Sequence, residues 1–73
     1  MGLRQKGLWD SAIRELQDSL AKMPDNAAIH YHLGVAYAGK GDKENALTAF
    51  NKALETKGAE AVTDRVKQAI EKL

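Results

Sequence analysis

The middle of the chain places apolar residues with the period of an α-helix. Ile29, Leu33 and Tyr37 recur every four residues, so they lie on one face of a helix. After a short break the same period continues, and this second apolar face consists of Ala46, Leu47, Phe50, Ala53 and Leu54. The pattern predicts two amphipathic helices, over 26–38 and 42–56, that form a hairpin.

Residues typical of helix ends stand at both limits of this hairpin. Pro24 lacks the N–H that a helix interior requires, so it ends the preceding helix. Asp25 or Asn26 can accept a hydrogen bond from the first free N–H groups of the next helix. Gly41 can adopt the left-handed conformation common at helix exits, and Asp42 is predicted to cap the helix that follows. The connections between helices are therefore predicted to be short.

Helical periodicity extends to both sides of the hairpin. One stripe predicts a helix over 8–23, with Leu8, Ala12, Ile13, Leu16, Ser19 and Leu20 on its apolar face. After an exit at Gly58, another predicts a helix over 59–72, with Val62, Val66, Ala69, Ile70 and Leu73 on its apolar face. We found no two-residue alternation of the kind that marks strands. The fold class is therefore predicted to be all-α, with four antiparallel helices in one domain, 1–73.

The sequence also repeats itself at an offset of 34 residues. Identical or similar residues pair at this offset: Lys6 with Lys40, Gly7 with Gly41, Ala12 with Ala46, Ile13 with Leu47, Leu16 with Phe50, Ser19 with Ala53, and Leu20 with Leu54. Pro24 and Gly58, two helix breakers, also match. A helix–turn–helix unit with this period is typical of one class of helical repeat.

These residues resemble the tetratricopeptide repeat (TPR) family. The family pattern contains an aromatic residue, Leu-Gly, Tyr, Ala, a second aromatic residue and a closing Pro. The matching residues here are His30, Leu33, Gly34, Tyr37, Ala46 and Phe50, followed by Ala53 at a small position. Two residues depart from the pattern: His30 replaces a large aromatic residue, and Gly58 replaces the closing proline.

The resemblance covers about residues 7–58 and implies a short α-solenoid of stacked helix hairpins. It divides the chain into the second half of one repeat (7–26), a full repeat (27–58) and a capping helix (59–73). It also implies a protein–protein interaction scaffold without catalytic activity, since such arrays bind peptides or partner helices on the concave face lined by the first helix of each repeat. The groove-facing candidates on that helix are Ala28, Tyr31, His32, Val35, Ala38 and Gly39. None of them is the Lys or Asn with which many relatives clamp a C-terminal carboxylate.

Composition excludes several other classes of function. The chain has no Cys, only two His, and a net charge of +1. His30 and His32 point about 200° apart on a helix and supply too few ligands for zinc, and His30 is expected to fill the core. We expect no enzymatic activity, metal or cofactor, since no nucleophile–base pair, paired carboxylates or phosphate loop is visible. No apolar run reaches about 18 residues, so no membrane span is expected, and no secretion signal is evident.

The location is expected to be cytoplasmic, or periplasmic if the chain is part of an exported protein; the stretch 29–42 is generally similar to repeats of bacterial export and envelope polysaccharide systems. RNA binding would require a basic concave face, which Ala28, Tyr31, His32 and Val35 do not provide. No nucleic-acid partner is therefore expected.

One alternative to peptide binding remains open. The first repeat lacks its first helix, so an apolar part of the first predicted helix is expected to lie open. Its candidate residues are Trp9, Ile13 and Leu16. The chain would then be a structural unit that self-associates, or part of a longer array, because one and a half repeats provide a smaller surface than the three or more that form a curved groove.

Overall fold

Four α-helices follow one another in the part of the chain that the structure describes. The computed structural model describes the backbone from residue 2 to residue 73 and the side chains from residue 7 onwards. The helices are α1 (Gly2–Lys22), α2 (Ala27–Lys40), α3 (Lys43–Glu55) and α4 (Thr63–Glu71), with a 3-10 turn at Ala59–Ala61. The part of the chain described here contains no strand. The all-α class and the solenoid of four helices are therefore confirmed.

α2 lies at the centre of the molecule. It packs on α1 on one side and on α3 on the other, and α4 packs on α3. Two clusters of buried side chains fill these contacts. One joins α2 and α3 to α4 around Phe50 and Val66. The other joins α1 to α2 and α3 around Ile13 and Leu33.

The helix ends use the residues that the sequence indicates. The side chain of Asn26, not Asp25, caps α2 and accepts a hydrogen bond from the N–H of Ile29 at 3.3 Å. Asp42 caps α3 and accepts from the N–H of Asn45 at 3.2 Å. Gly41 has φ 95° and ends α2 in a left-handed turn of the Schellman type. In that turn the N–H of Asp42 donates to the carbonyl oxygen of Tyr37 at 2.9 Å.

A glycine allows α2 and α3 to approach closely. Gly34 lies against the ring of Phe50, and a methyl group added at Gly34 would overlap that ring. Phe50 is completely buried, and so are Ala46 and Ala53 on the same face of α3. The close contact between α2 and α3 is thus centred on one glycine and one phenylalanine.

His30 is buried in the position of the expected core residue, with 9% of its surface exposed. Its Nε2 lies 3.3 Å from the carbonyl oxygen of Pro24. In the Nε2–H tautomer the ring therefore donates a hydrogen bond to the turn before α2. A polar ring fits this buried position because its nitrogen has a partner.

The structure corrects the limits of three predicted helices. The first begins at Gly2 rather than residue 8, because LRQK are good helix formers and a single glycine costs about 1 kcal/mol without ending a helix. The second continues to Lys40, since only Gly41 leaves the helical region. The last begins at Thr63, because the chain after Gly58 (φ 87°) first forms the 3-10 turn.

Three residues of the predicted apolar faces lie exposed. Leu8 keeps 69% of its surface exposed and Leu47 keeps 39%, and Ser19 is exposed as well. α1 and α3 therefore bury narrower stripes than their sequences indicate. Among the helices described here, none is both long and apolar enough to cross a membrane.

Candidate functional site

A groove lies between α2 and α4, which we call the α2–α4 groove. It forms because α4 packs on α3 and stands apart from α2. Phe50 of α3 lies at its base. One wall is the apolar face of α2, with Tyr31, Val35 and Ala38. The other lining residues of the groove come from the end of α2, the start of α3, and α4 with the residues directly after it: Gly41, Lys43, Arg65, Gln68, Ala69, Lys72 and Leu73. Its volume is about 400 Å³, within the range of about 300–1,000 Å³ usual for ligand pockets.

A second groove lies next to the first, between α1 and α2, and we call it the α1–α2 groove. It is shallow, encloses about 440 Å³, and is lined by Trp9, Ala12, Glu15, Leu16, Ser19, His32, Val35 and Ala36. Val35 lines both grooves and keeps 36% of its surface exposed. It therefore forms a ridge between them.

The six groove candidates on α2 do not form one surface. Tyr31, Val35 and Ala38 share the α2–α4 groove. His32 belongs to the α1–α2 groove. Ala28 lies away from both grooves, in a depression beside Lys57 and Gly58, so a single ligand in the α2–α4 groove meets half of the candidates.

Gly39 lies against α1, outside both grooves, and remains exposed. Its α-carbon lies on the Trp9 indole, and a methyl group added there would overlap the ring. Trp9 is half-buried and belongs to the cluster around Ile13. The contact between Gly39 and Trp9 therefore joins α1 to the end of α2.

Tyr31 is oriented by two neighbouring rings. Its ring centroid lies 6.2 Å from that of Phe50 and 5.3 Å from that of His32, within the 4.5–7 Å range of favourable aromatic pairs. The ring is half-buried. Tyr31 therefore offers a supported aromatic surface at the wall of the α2–α4 groove.

The residues proposed for self-association differ in exposure. Ile13 keeps only 8% of its surface exposed and belongs to the core, so the expectation that it lies open is wrong. Trp9 and Leu16 are half-buried and line the α1–α2 groove. Any association through this side of α1 would therefore use Trp9 and Leu16 rather than Ile13.

One ion pair joins α1 to the end of α2 in the part of the chain with described side chains. The Nζ of Lys40 lies 2.8 Å from the Oδ1 of Asp10. The hydrogen bond to Asp10 and its negative charge raise the pKa of Lys40 above its ordinary value. Since the folded-state pKa is the higher one, the pair stabilises the fold at neutral pH and loses this effect as the pH rises through that pKa. Both side chains are well exposed, so solvent screens the pair.

The described residues contain no group of three or more His, Cys, Asp or Glu side chains that could hold a metal ion. The lining of the α2–α4 groove instead combines an apolar base with three cationic side chains, Lys43, Arg65 and Lys72. Such a lining can bind apolar side chains and anions. It contains neither a nucleophile next to a base nor a carboxylate pair.

Comparison with known families assigns the chain. A family model described as Tetratricopeptide repeat matches residues 2–62. The chain belongs to the tetratricopeptide repeat family. TPR domains generally mediate protein–protein interactions and are typically non-catalytic. No curated protein and no solved structure matches the chain significantly.

The sequence analysis of this TPR chain missed the far wall of the α2–α4 groove. Arg65, Gln68 and Lys72 are not among the candidate site residues of the sequence analysis. Their spacings of three and four residues place them on one helical face, which is the signal that could have identified a wall. What the sequence did not contain is the gap between α2 and α4, because that gap depends on how α4 packs on α3.

Proposed function

We propose that this TPR chain is a non-catalytic scaffold module that binds a peptide or partner helix through the face of α2 in the α2–α4 groove. The observation that carries the proposal is the combination of Val35, 36% exposed, with the oriented ring of Tyr31 above a buried Phe50. Exposed apolar residues that line a concave surface are typical of binding sites.

The expected affinity is modest. The groove runs beside α4, whose nine residues span about 14 Å at 1.5 Å per residue. A peptide there covers well under the ~800 Å² per partner that stable complexes bury. We therefore expect a Kd of roughly 10–100 µM, which corresponds to about −5.5 to −7 kcal/mol.

The proposal is tested with peptides selected from a random library against the chain. Their affinities are measured for the natural chain and for two variants, Val35→Gln and Leu47→Gln. Leu47→Gln is the matched control for Val35→Gln, because Val35 and Leu47 are both apolar helical residues, with 36% and 39% of their surface exposed. Only Val35 lines the groove. We expect Val35→Gln to weaken binding several-fold and Leu47→Gln to leave it unchanged. Equal effects of the two variants, or no peptide selected, would contradict the proposal.

A second candidate function, self-association through α1, is favoured by the internal repeat. Ala46, Phe50 and Ala53 are completely buried, whereas their equivalents 34 residues earlier are less covered: Ala12 and Leu16 are half-buried and Ser19 is exposed. In the internal repeat, the face of α3 that α2 covers corresponds to a face of α1. Among the described residues, no helix covers that face of α1 to the same extent.

Light scattering behind size exclusion tests this second function at concentrations of about 10 µM to 1 mM, which bracket weak association. Leu16→Glu is the test variant, and Leu47→Glu is its control on the outer face of α3. A dimer that only Leu16→Glu dissociates supports self-association. A monomer over the whole range contradicts it.

A further inference from the structure

We propose that the α2–α4 groove selects a short extended segment that carries one or two large apolar side chains with Asp or Glu on both sides of them. This inference rests on the proposed function, since it specifies the chemistry of the partner for the same groove. It follows from the charges around the groove, their spacing and the size of the apolar base.

The charge of the groove is unbalanced. Lys43, Arg65 and Lys72 line it, and no Asp or Glu side chain does. Because the whole chain carries only +1, the remainder of the molecule is net negative. The positive charge is therefore concentrated on the groove, and a field of this kind favours acidic partners and speeds their approach.

Among the described side chains, the three cations also lack carboxylate partners. The ion pair found among the described side chains joins Lys40 to Asp10, so Lys43, Arg65 and Lys72 have no carboxylate within ion-pair distance there. All three side chains are exposed. An acidic partner can therefore reach them without displacing an internal ion pair.

The distance between Arg65 and Lys72 matches the distance between two acidic residues that stand on either side of an apolar pair in an extended peptide. Arg65 of α4 and Lys72, the C-cap residue directly after α4, stand seven residues apart, which is about 10 Å along a helix at 1.5 Å per residue. An extended chain covers this distance in about three residues. A lone terminal carboxylate would reach one of the two cations, whereas side-chain carboxylates before and after the apolar residues reach both.

The base of the groove specifies the centre of the segment. Tyr31 and Val35 provide aromatic and aliphatic surface above the completely buried Phe50, and the volume of about 400 Å³ accommodates one or two large side chains. Single-stranded RNA is the other anionic ligand with rings to stack, but RNA-binding surfaces usually extend over a strongly basic face. Three cations on an otherwise net negative molecule favour the acidic peptide.

The test uses three nonapeptides that are blocked at both ends and share a central Leu-Phe pair. The first has two glutamates on each side of that pair, the second has glutamines at those four positions, and the third has lysines. Binding is measured by titration up to about 1 mM, where affinities weaker than the expected range remain detectable. An oligouridine probe is titrated in parallel.

We expect the glutamate peptide to bind about tenfold more tightly than the glutamine peptide, and the lysine peptide to bind most weakly. The preference should shrink in about 1 M salt, where the Debye length falls to about 3 Å. The variant Arg65→Glu/Lys72→Glu should abolish the preference. Lys67→Glu is the control, because it reverses one charge of α4 at an exposed residue outside the groove. Arg65→Glu alone makes the same change of two charge units and should weaken the preference more than Lys67→Glu does.

Each contrary result has a distinct meaning. Equal binding of the glutamate and glutamine peptides, with both weakened by Val35→Gln, overturns the charge selectivity but leaves the proposed function intact. If Lys67→Glu and the double variant lose the preference for the glutamate peptide equally, the charge selectivity is also overturned, since the loss would then follow from the net charge of the chain and not from the groove. Tighter binding of oligouridine than of the glutamate peptide overturns it in favour of RNA. Binding of none of the probes overturns this inference, whereas the proposed function is contradicted only if the random library also yields no peptide.

Discussion

Gly7 and Gly41 occupy equivalent places in the internal repeat but have different backbones. Gly7 lies inside α1, and a methyl group added there meets nothing within 4 Å. Gly41 has φ 95° and ends α2. We therefore expect Gly7→Ala to stabilise the fold by about 0.5–1 kcal/mol through helix propensity, and Gly41→Ala to destabilise it by about 1–2 kcal/mol through left-handed strain. Chemical denaturation measures the change in the free energy of unfolding for each variant. Changes of the same sign in both variants would contradict the assigned helix limits.

Gly34 is expected to tolerate no side chain. A methyl group there overlaps the Phe50 ring, and overpacking of this kind costs about 1–3 kcal/mol. Gly34→Ala should therefore lower the midpoint of thermal unfolding by roughly 4–8 °C per kcal/mol lost. The double variant Gly34→Ala/Phe50→Leu serves as the control, because the smaller side chain leaves room for the methyl group. If the cost of Gly34→Ala is the same in the Leu background, the close contact is not its cause.

At the scale of one element, the start of each helix of the hairpin depends on a capping side chain. Asp42 accepts hydrogen bonds from both the N–H and the side-chain amide of Asn45, at 3.2 and 2.6 Å. We expect Asp42→Ala to cost about 1 kcal/mol, as loss of a helix cap typically does. Asp25→Ala is the matched control, since Asp25 is exposed beside the true cap Asn26. Thermal unfolding followed by circular dichroism compares them, and a larger loss for Asp25→Ala would contradict the assignment.

The number and type of helices were predictable from the sequence because apolar periodicity and turn residues agree along the chain. Gly41 and Asp42 have the roles that their local chemistry indicates. The start of α1 was not predictable from the sequence, because Gly7 interrupts a segment whose other residues favour a helix. The exposure of Leu8 and Leu47 was not predictable either, because the burial of a residue depends on which helix covers its face.

The groove on α2 was predictable only in part for the same reason. Tyr31, Val35 and Ala38 share a wall, as their helical spacing indicates. Gly39 was assigned to the groove from its place on α2, but it packs on Trp9, which only the position of α1 determines. The cations of α4 became part of the site through the packing of α4 on α3. The division into half-repeat, full repeat and capping helix stays a prediction, as does the binding role of each groove residue.

At the scale of the whole molecule, stability limits how much the core can change. A chain of this length buries only about 60% of the surface that its unfolded form exposes. Ile13 links α1 to the core with 8% exposure, and a buried unpaired carboxylate costs several kcal/mol. Ile13→Asp should therefore unfold the chain, whereas Leu8→Asp, at 69% exposure, should remain folded. Circular dichroism distinguishes them, and a folded Ile13→Asp variant would show that α1 is dispensable.

The central claim is that the α2–α4 groove is the surface that meets a partner. Nuclear magnetic resonance titration of the isotope-labelled chain with a selected peptide tests it most directly, since each amide reports its own surroundings. The account predicts that the amides that shift most lie along the groove, around Tyr31, Val35 and Ala69. Shifts centred on the α1–α2 groove, around Trp9 and Leu16, would contradict it and assign binding to the other side of α2.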